Sequence, residues 1–225
     1  MIGTRMHATA HLETSFADVV NAHLDDHLEA VTALRRELPL LMLWGCELAR
    51  RLTTGHRLLV VGNGGSAAEA QHFTAELVGR FDGDRPPFPA MALHAETSSV
   101  TAIANDYGYE QVFARQVQAH AQDADVVILL STGEFSPNLV AAAHAARAIG
   151  ASTWALTGPG PNDLSDASDA ALCLSGTPAA VQEAQLLAIH LLCRVFDDRV
   201  HALDPRGRAG DDSFDRPTAI GRAAS

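Results

Sequence analysis

The sequence predicts an α/β fold: a parallel sheet of about five strands with helices on both faces, preceded by an N-terminal helical extension. Three observations point there. Short, nearly unbroken runs of Val, Ile and Leu recur, as in RLLVVG and DVVILLS, and STWALTG is a shorter, more mixed apolar run. Each run is followed by a longer segment whose apolar residues recur at helical spacing. The junctions between them are rich in Gly, Ser, Asn and Pro. Strands that are apolar on both sides belong in a parallel sheet covered on both faces.

The elements follow in order. From Ser15 to about Thr54 the apolar positions Phe16, Val19, Val20, Leu24, Val31, Leu34, Leu41 and Leu48 keep a helical period, and Pro39 divides the run into two helices. Residues 56–62 read as a strand and 66–80 as a helix. Residues 87–94 read as a strand, 98–106 and 110–121 as helices. A strand at 125–131 precedes a helix at 137–150, which Gly150 closes. Strands at 151–158 and 169–175 lead to a long apolar helix at 178–200. One domain is expected over 13–203, with a loose leader at 1–12 and a polar, Gly-, Pro- and Asp-rich disordered tail at 204–225.

The chain has 225 residues, enough to bury a core without disulfides or a structural metal. A formal net charge of −11 argues against nucleic-acid partners and anionic membrane surfaces. No run of 18 apolar residues occurs and the N-terminus lacks the apolar centre of a signal peptide, so no membrane span is expected and the cytoplasm is the expected location. Cys46, Cys173 and Cys193 form no CxxC pair and sit in apolar surroundings, so they read as reduced, buried thiols.

In such sheets ligands bind beyond the carboxyl ends of the strands, so the strand-to-helix turns carry the chemistry. The first turn is Gly62-Asn63-Gly64-Gly65-Ser66. Its glycines let backbone approach a ligand, and the helix that follows presents free N–H groups to an anion. The plain alternative is a tight turn with Ser66 as N-cap. No Lys follows, which excludes a Walker loop, and no acidic residue ends the next strand, which closes at His94; a dinucleotide fingerprint fits poorly. The second turn, Ser131-Thr132-Gly133-Glu134-Phe135-Ser136-Pro137, offers three hydroxyls at a helix start, either for a phosphate or as a cap with Ser136 at N-cap and Pro137 at N1. His72 and Glu76, four apart, share a helix face and could hold a divalent metal, pair as acid and base, or make a surface contact. His190 lies in a largely apolar helix, where a hydrogen-bonded core role competes with a functional one.

Four segments together, GNGGSAAEAQHFTAELVGR at 62–80, AND at 104–106, ST…S at 131–136 and QEAQLLAIH at 182–190, resemble the sedoheptulose 7-phosphate isomerases, phosphoheptose isomerases of the sugar isomerase (SIS) fold. The likeness spans roughly residues 15–200. It implies a sugar-phosphate substrate, a homotetramer with active sites in the strand-end crevice, and one zinc per subunit. By motif, Asn63, Gly64, Gly65 and Ser66 would line the substrate site, Asn105 and Asp106 would meet sugar hydroxyls, and Ser131, Thr132, Gly133 and Ser136 would hold the phosphate. His72, Glu76, Gln182 and His190 correspond to the metal ligands, with Glu76 and Gln182 also touching substrate, and Glu76 and His190 to the catalytic acid–base pair. The chain departs from the family's Ser-Thr-Ser-Gly-x-Ser loop at Gly133-Glu134-Phe135, and Ala179 stands where some members carry Asp.

The implied reaction converts D-sedoheptulose 7-phosphate to D-glycero-D-manno-heptopyranose 7-phosphate through an enediol(ate). The alternatives are a non-catalytic SIS-fold protein that binds a partner, and an isomerase or sensor of another phosphosugar. Gln182 and His190 stand eight residues apart, roughly 12 Å along a helix and ~80° apart in direction. One metal can hardly meet both from one helix, so one of the two is expected to serve a neighbouring subunit's site.

Overall fold

The computed structural model describes residues 3–133 and 135–203, with side chains from Ser15 onward. Five parallel strands, β1 (Leu58–Gly62), β2 (Ala90–Ala92), β3 (Val126–Leu130), β4 (Ser152–Thr157) and β5 (Ala170–Cys173), form one sheet in the order β2-β1-β3-β4-β5. Every residue of β1 and β3 is buried, which is why both read as unbroken apolar runs. The two strands pair from Leu58↔Val126 to Gly62↔Leu130, so they end level and their following turns stand side by side. The order reverses between β1 and β3, and a sheet of this kind opens its binding crevice at that reversal.

The helices are α1 (Gly3–Arg36), α2 (Leu38–Thr53), α3 (Gly65–Val78), α4 (Thr97–Tyr107), α5 (Val112–His120), α6 (Pro137–Ile149), α7 (Asp163–Ala167) and α8 (Pro178–Leu203). Alternation along the strands sorts them into two layers. Leu58, Val60, Val126, Ile128 and Leu130 face a core shared with α1, α2, α3 and α8. Leu59, Val61, Val127 and Leu129 face α5, α6 and α7, with α4 against the edge of that core. Trp44 of α2 stacks on Trp154 of β4, centroids 5.1 Å apart, which fixes the extension on the sheet. Gly45 lets α2 approach α8; a Cβ there would overlap Val195.

The expected elements are present, with four refinements. α1 is helical from Gly3, through most of the stretch expected to be a loose leader, and Pro39 sits in the first turn of α2 rather than inside a helix. α7 is an unexpected five-residue helix, held by a reciprocal cap between Asn162 and Ser165 rather than by an apolar period. Among the thiols, Cys193 is buried and Cys173 partly so, but Cys46 is exposed, because it lies on the outer face of α2. α8 is long and apolar enough to cross a membrane by composition, yet half of its most apolar stretch is buried in this fold, where it packs on α1, α2 and α3. The tail from 204 lies outside the described residues.

Candidate active site

The first turn is built for close approach. Gly64, with φ +55°, is the N-cap of α3, and no side chain caps the helix. Ser66 is therefore not the cap; it lies buried within the first turn of α3. Gly62 has no room for a side chain, since a Cβ would strike the Ser66 backbone. The uncapped first turn leaves backbone donors facing the crevice.

Beside it stands the turn after β3. Ser136 is the N-cap of α6 and Pro137 occupies its first turn, but the Ser136 hydroxyl does not cap; it lies 3.1 Å from Ser131 Oγ. Ser131 Oγ in turn accepts from the Gly133 N–H at 3.2 Å. Thr132 is partly exposed, its carbonyl against Gly158. Phe135 turns to solvent at 80% exposure, so it does not fill the crevice; Glu134 lies outside the described residues. Two helix N-termini thus converge at the reversal of the sheet, each with small polar groups and no side-chain cap.

Three residues that sequence reasoning missed hold these turns in place. Asn138, on the first turn of α6, exchanges two amide hydrogen bonds with Asn63, at 3.0 and 2.9 Å. Tyr109 donates to Asn63 Oδ1 at 3.0 Å from the 3-10 turn that follows α4. Gln185, fully buried on α8, donates to the Ser131 carbonyl at 2.8 Å. Only the hydrophilic character of Asn138 and Gln185 within otherwise apolar helices hinted at them. Asn105 and Asp106, expected near the substrate, are exposed on the last turns of α4 and hydrogen-bond each other at 2.8 Å.

The second half of the site lies between α3 and α8, along a groove of about 510 Å³. His72 Nε2 is 2.9 Å from His190 Nε2 and 3.3 Å from Glu76 Oε1. One ligand atom from each of the three lies within 4.8 Å of the others. Phe81 flanks the His190 ring, centroids 5.5 Å apart. Donor pairs around a tetrahedral zinc stand about 3.3 Å apart, so two imidazoles and a carboxylate at these spacings suit a divalent metal. Gln182 does not join them. It lies against the start of α3, where a Cβ on Gly65 would overlap its amide. His190 meets His72 and Glu76 within one chain, while Gln182 stands eight residues earlier on α8, roughly 12 Å along the helix.

Arg85 secures the far end of α3. Nearly buried, it donates to the carbonyls of Glu76 at 2.6 Å and Leu77 at 2.9 Å and pairs with Asp197 of α8 at 2.6 Å. It also lines a separate hollow of about 500 Å³ with Asp84, Pro86, Phe88, His201 and Leu203; that hollow lies away from the strand-end turns. Within the α3–α8 groove, burial pushes the Glu69 carboxyl up to about pH 7.

A family model for the SIS domain matches residues 45–158. A phosphoheptose isomerase of Streptomyces coelicolor is 55% identical over 179 residues, covering 79% of this chain and 78% of its own length. The structure is similar to that of a phosphoheptose isomerase from Francisella tularensis, with TM-score 0.74 and 30% identity over 81% of this chain and 98% of that one. It is equally close to phosphoheptose isomerase GmhA from Neisseria gonorrhoeae, with TM-score 0.73 and 34% identity over 81% and 99%. With more than half its length and both of its glycine- and hydroxyl-bearing turns inside these matches, the chain belongs to the phosphoheptose isomerases of the SIS fold.

Proposed function

We propose that the protein is an aldose–ketose isomerase acting on sedoheptulose 7-phosphate and yielding D-glycero-D-manno-heptopyranose 7-phosphate. The observation that carries this reading is the meeting of His72, Glu76 and His190 beside two uncapped helix N-termini, in a chain of this family. The phosphate rests on the N-termini of α3 and α6, gripped by Ser66, Ser131, Thr132, Gly133 and Ser136 without a cation. Asn63, Gly64 and Gly65 line the adjoining wall, and Asn105 and Asp106 reach sugar hydroxyls from α4.

The reaction moves one proton between neighbouring carbons. Glu76 takes the proton from C1 of the ketose, leaving an enediol(ate), and, after that proton exchanges with water, delivers one to C2. His190 donates to the developing oxyanion at O2 and accepts the proton that O1 gives up. Atoms balance: C1 becomes the aldehyde and C2 the carbinol, with no outside oxidant. His72, Glu76 and His190 would hold zinc, which when bound supplies a Lewis acid for the two oxygens. The test is the purified protein with sedoheptulose 7-phosphate, followed by NMR with and without a chelator. The aldose signal is expected, falling at least tenfold on metal removal and returning with zinc. No product from zinc-loaded protein would overturn the reading.

A homotetramer with shared sites completes the proposal. On α1, Phe16, Val20, Leu24 and Leu28 form an exposed apolar stripe at four-residue steps, which suits a second copy of the chain. Gln182 is the candidate to serve a neighbour's site. Mixed oligomers of Gln182→Ala and His190→Ala chains should regain part of the lost turnover after subunit exchange; none regained would refute sharing. The three free thiols accord with the cytoplasm as the working compartment.

A further inference from the structure

Along α3, Gly65, Glu69, His72 and Glu76 recur at helical spacing and form one stripe toward α8. Gly65 opposes Gln182 and His72 opposes His190, so α3 and α8 lie alongside each other over this length. Glu69 stands between these two contacts, in the groove lined also by Ala68 and Leu186. Only 7% of Glu69 is exposed, and its Oε2 is buried with no hydrogen-bond partner. A carboxyl oxygen left in this way costs about 1–3 kcal/mol, and buried polar groups in folded proteins almost always find a partner.

We propose that Glu69 is a substrate-reading residue, whose buried carboxyl binds a hydroxyl from the middle of the sugar chain in the groove between α3 and α8. This rests on the isomerase reading and extends it from the two ends of the substrate to its centre. Gly65 and His72 are roughly 10 Å apart along the helix axis. An extended sugar phosphate with its anion at the start of α3 and its carbonyl at the His72–Glu76–His190 cluster spans that interval. Glu69 is then level with the carbons between, and a chain with too few of them could not occupy both ends at once. A hydroxyl suits the groove because it brings a donor and an acceptor without a charge. The same burial that lifts the carboxyl's pKa to about 7 lets it donate as well as accept near neutrality.

The test compares Glu69→Gln and Glu69→Leu with the unaltered, zinc-loaded protein. Gln keeps both hydrogen-bonding roles and should hold kcat/KM within about threefold; Leu should lower it about tenfold or more, chiefly through KM. The melting-temperature rise produced by sedoheptulose 7-phosphate should persist in Glu69→Gln and shrink in Glu69→Leu, at unchanged zinc stoichiometry. If the Leu variant does not fold, analogues deoxygenated singly at the mid-chain carbons test the unaltered protein: at least one should raise KM about fivefold or more. An unchanged KM in Glu69→Leu, or across all the analogues, would overturn the inference while leaving the isomerase reading intact. Absence of turnover by the unaltered protein would instead sink that reading, and this one with it.

Discussion

At the scale of single residues, the site depends on side chains that touch no reacting atom. Asn63 is held by a two-way amide pair with Asn138 and by Tyr109. Asn138→Ala removes both amide bonds and frees the first turn, so KM for the sugar phosphate should rise about tenfold, the equivalent of roughly 1.4 kcal/mol, with a smaller change in kcat. Steady-state kinetics checks it. Glu69 makes a prediction about stability. Its folded-state pKa is raised from 4.5 to about 7, so the protein binds this proton more tightly when folded. The associated stability is complete below pH 4.5 and is lost as pH rises through 7. Glu69→Gln, neutral throughout, should therefore melt higher than the unaltered protein at pH 8, by on the order of 1–2 kcal/mol after allowance for screening by water in the groove, and show no such gain at pH 4. Thermal melts at the two pH values decide it.

At the scale of elements, α3 and α8 build the chemical end of the site and the Arg85–Asp197 pair fastens them. Asp197→Ala would leave a buried guanidinium without its carboxylate and free the end of α3 that carries Glu76. A loss of about 3–5 kcal/mol is expected in denaturant unfolding. This scale also shows what the sequence could and could not reveal. β1 and β3 were legible because these strands, buried on both faces, carry no polar residue, and α6 because Pro137 and Gly150 mark its ends. α7 was not, since five residues held by a cap have no period to detect. The pairing of His72 with Glu76 was visible in their spacing. Their meeting with His190, and the separation of Gln182 from it, required the packing of two helices more than a hundred residues apart in the chain. Glu69, Asn138 and Gln185 were hidden for the same reason: each matters through a tertiary neighbour or through burial, and neither is written in local pattern.

At the scale of the whole molecule, the reversal of strand order between β1 and β3 puts two helix N-termini side by side, and α8 closes over them from the N-terminal layer. On the proposed reading the fold thereby sets an anion site and an acid–base centre a sugar's length apart, and neither turn, 62–66 nor 131–137, carries a Lys or Arg in its sequence. In the proposed reaction Glu76 and His190 move protons between adjacent carbons and oxygens of a ketose phosphate. The most direct measurement is the isomerisation of sedoheptulose 7-phosphate in deuterated water, read by NMR for the unaltered protein, Glu76→Gln and His190→Ala. Deuterium should enter C2 of the aldose with the unaltered protein, and each substitution should slow product formation about 10²–10⁴-fold while the melting curve stays cooperative. Product forming at the unaltered rate in Glu76→Gln would contradict the account.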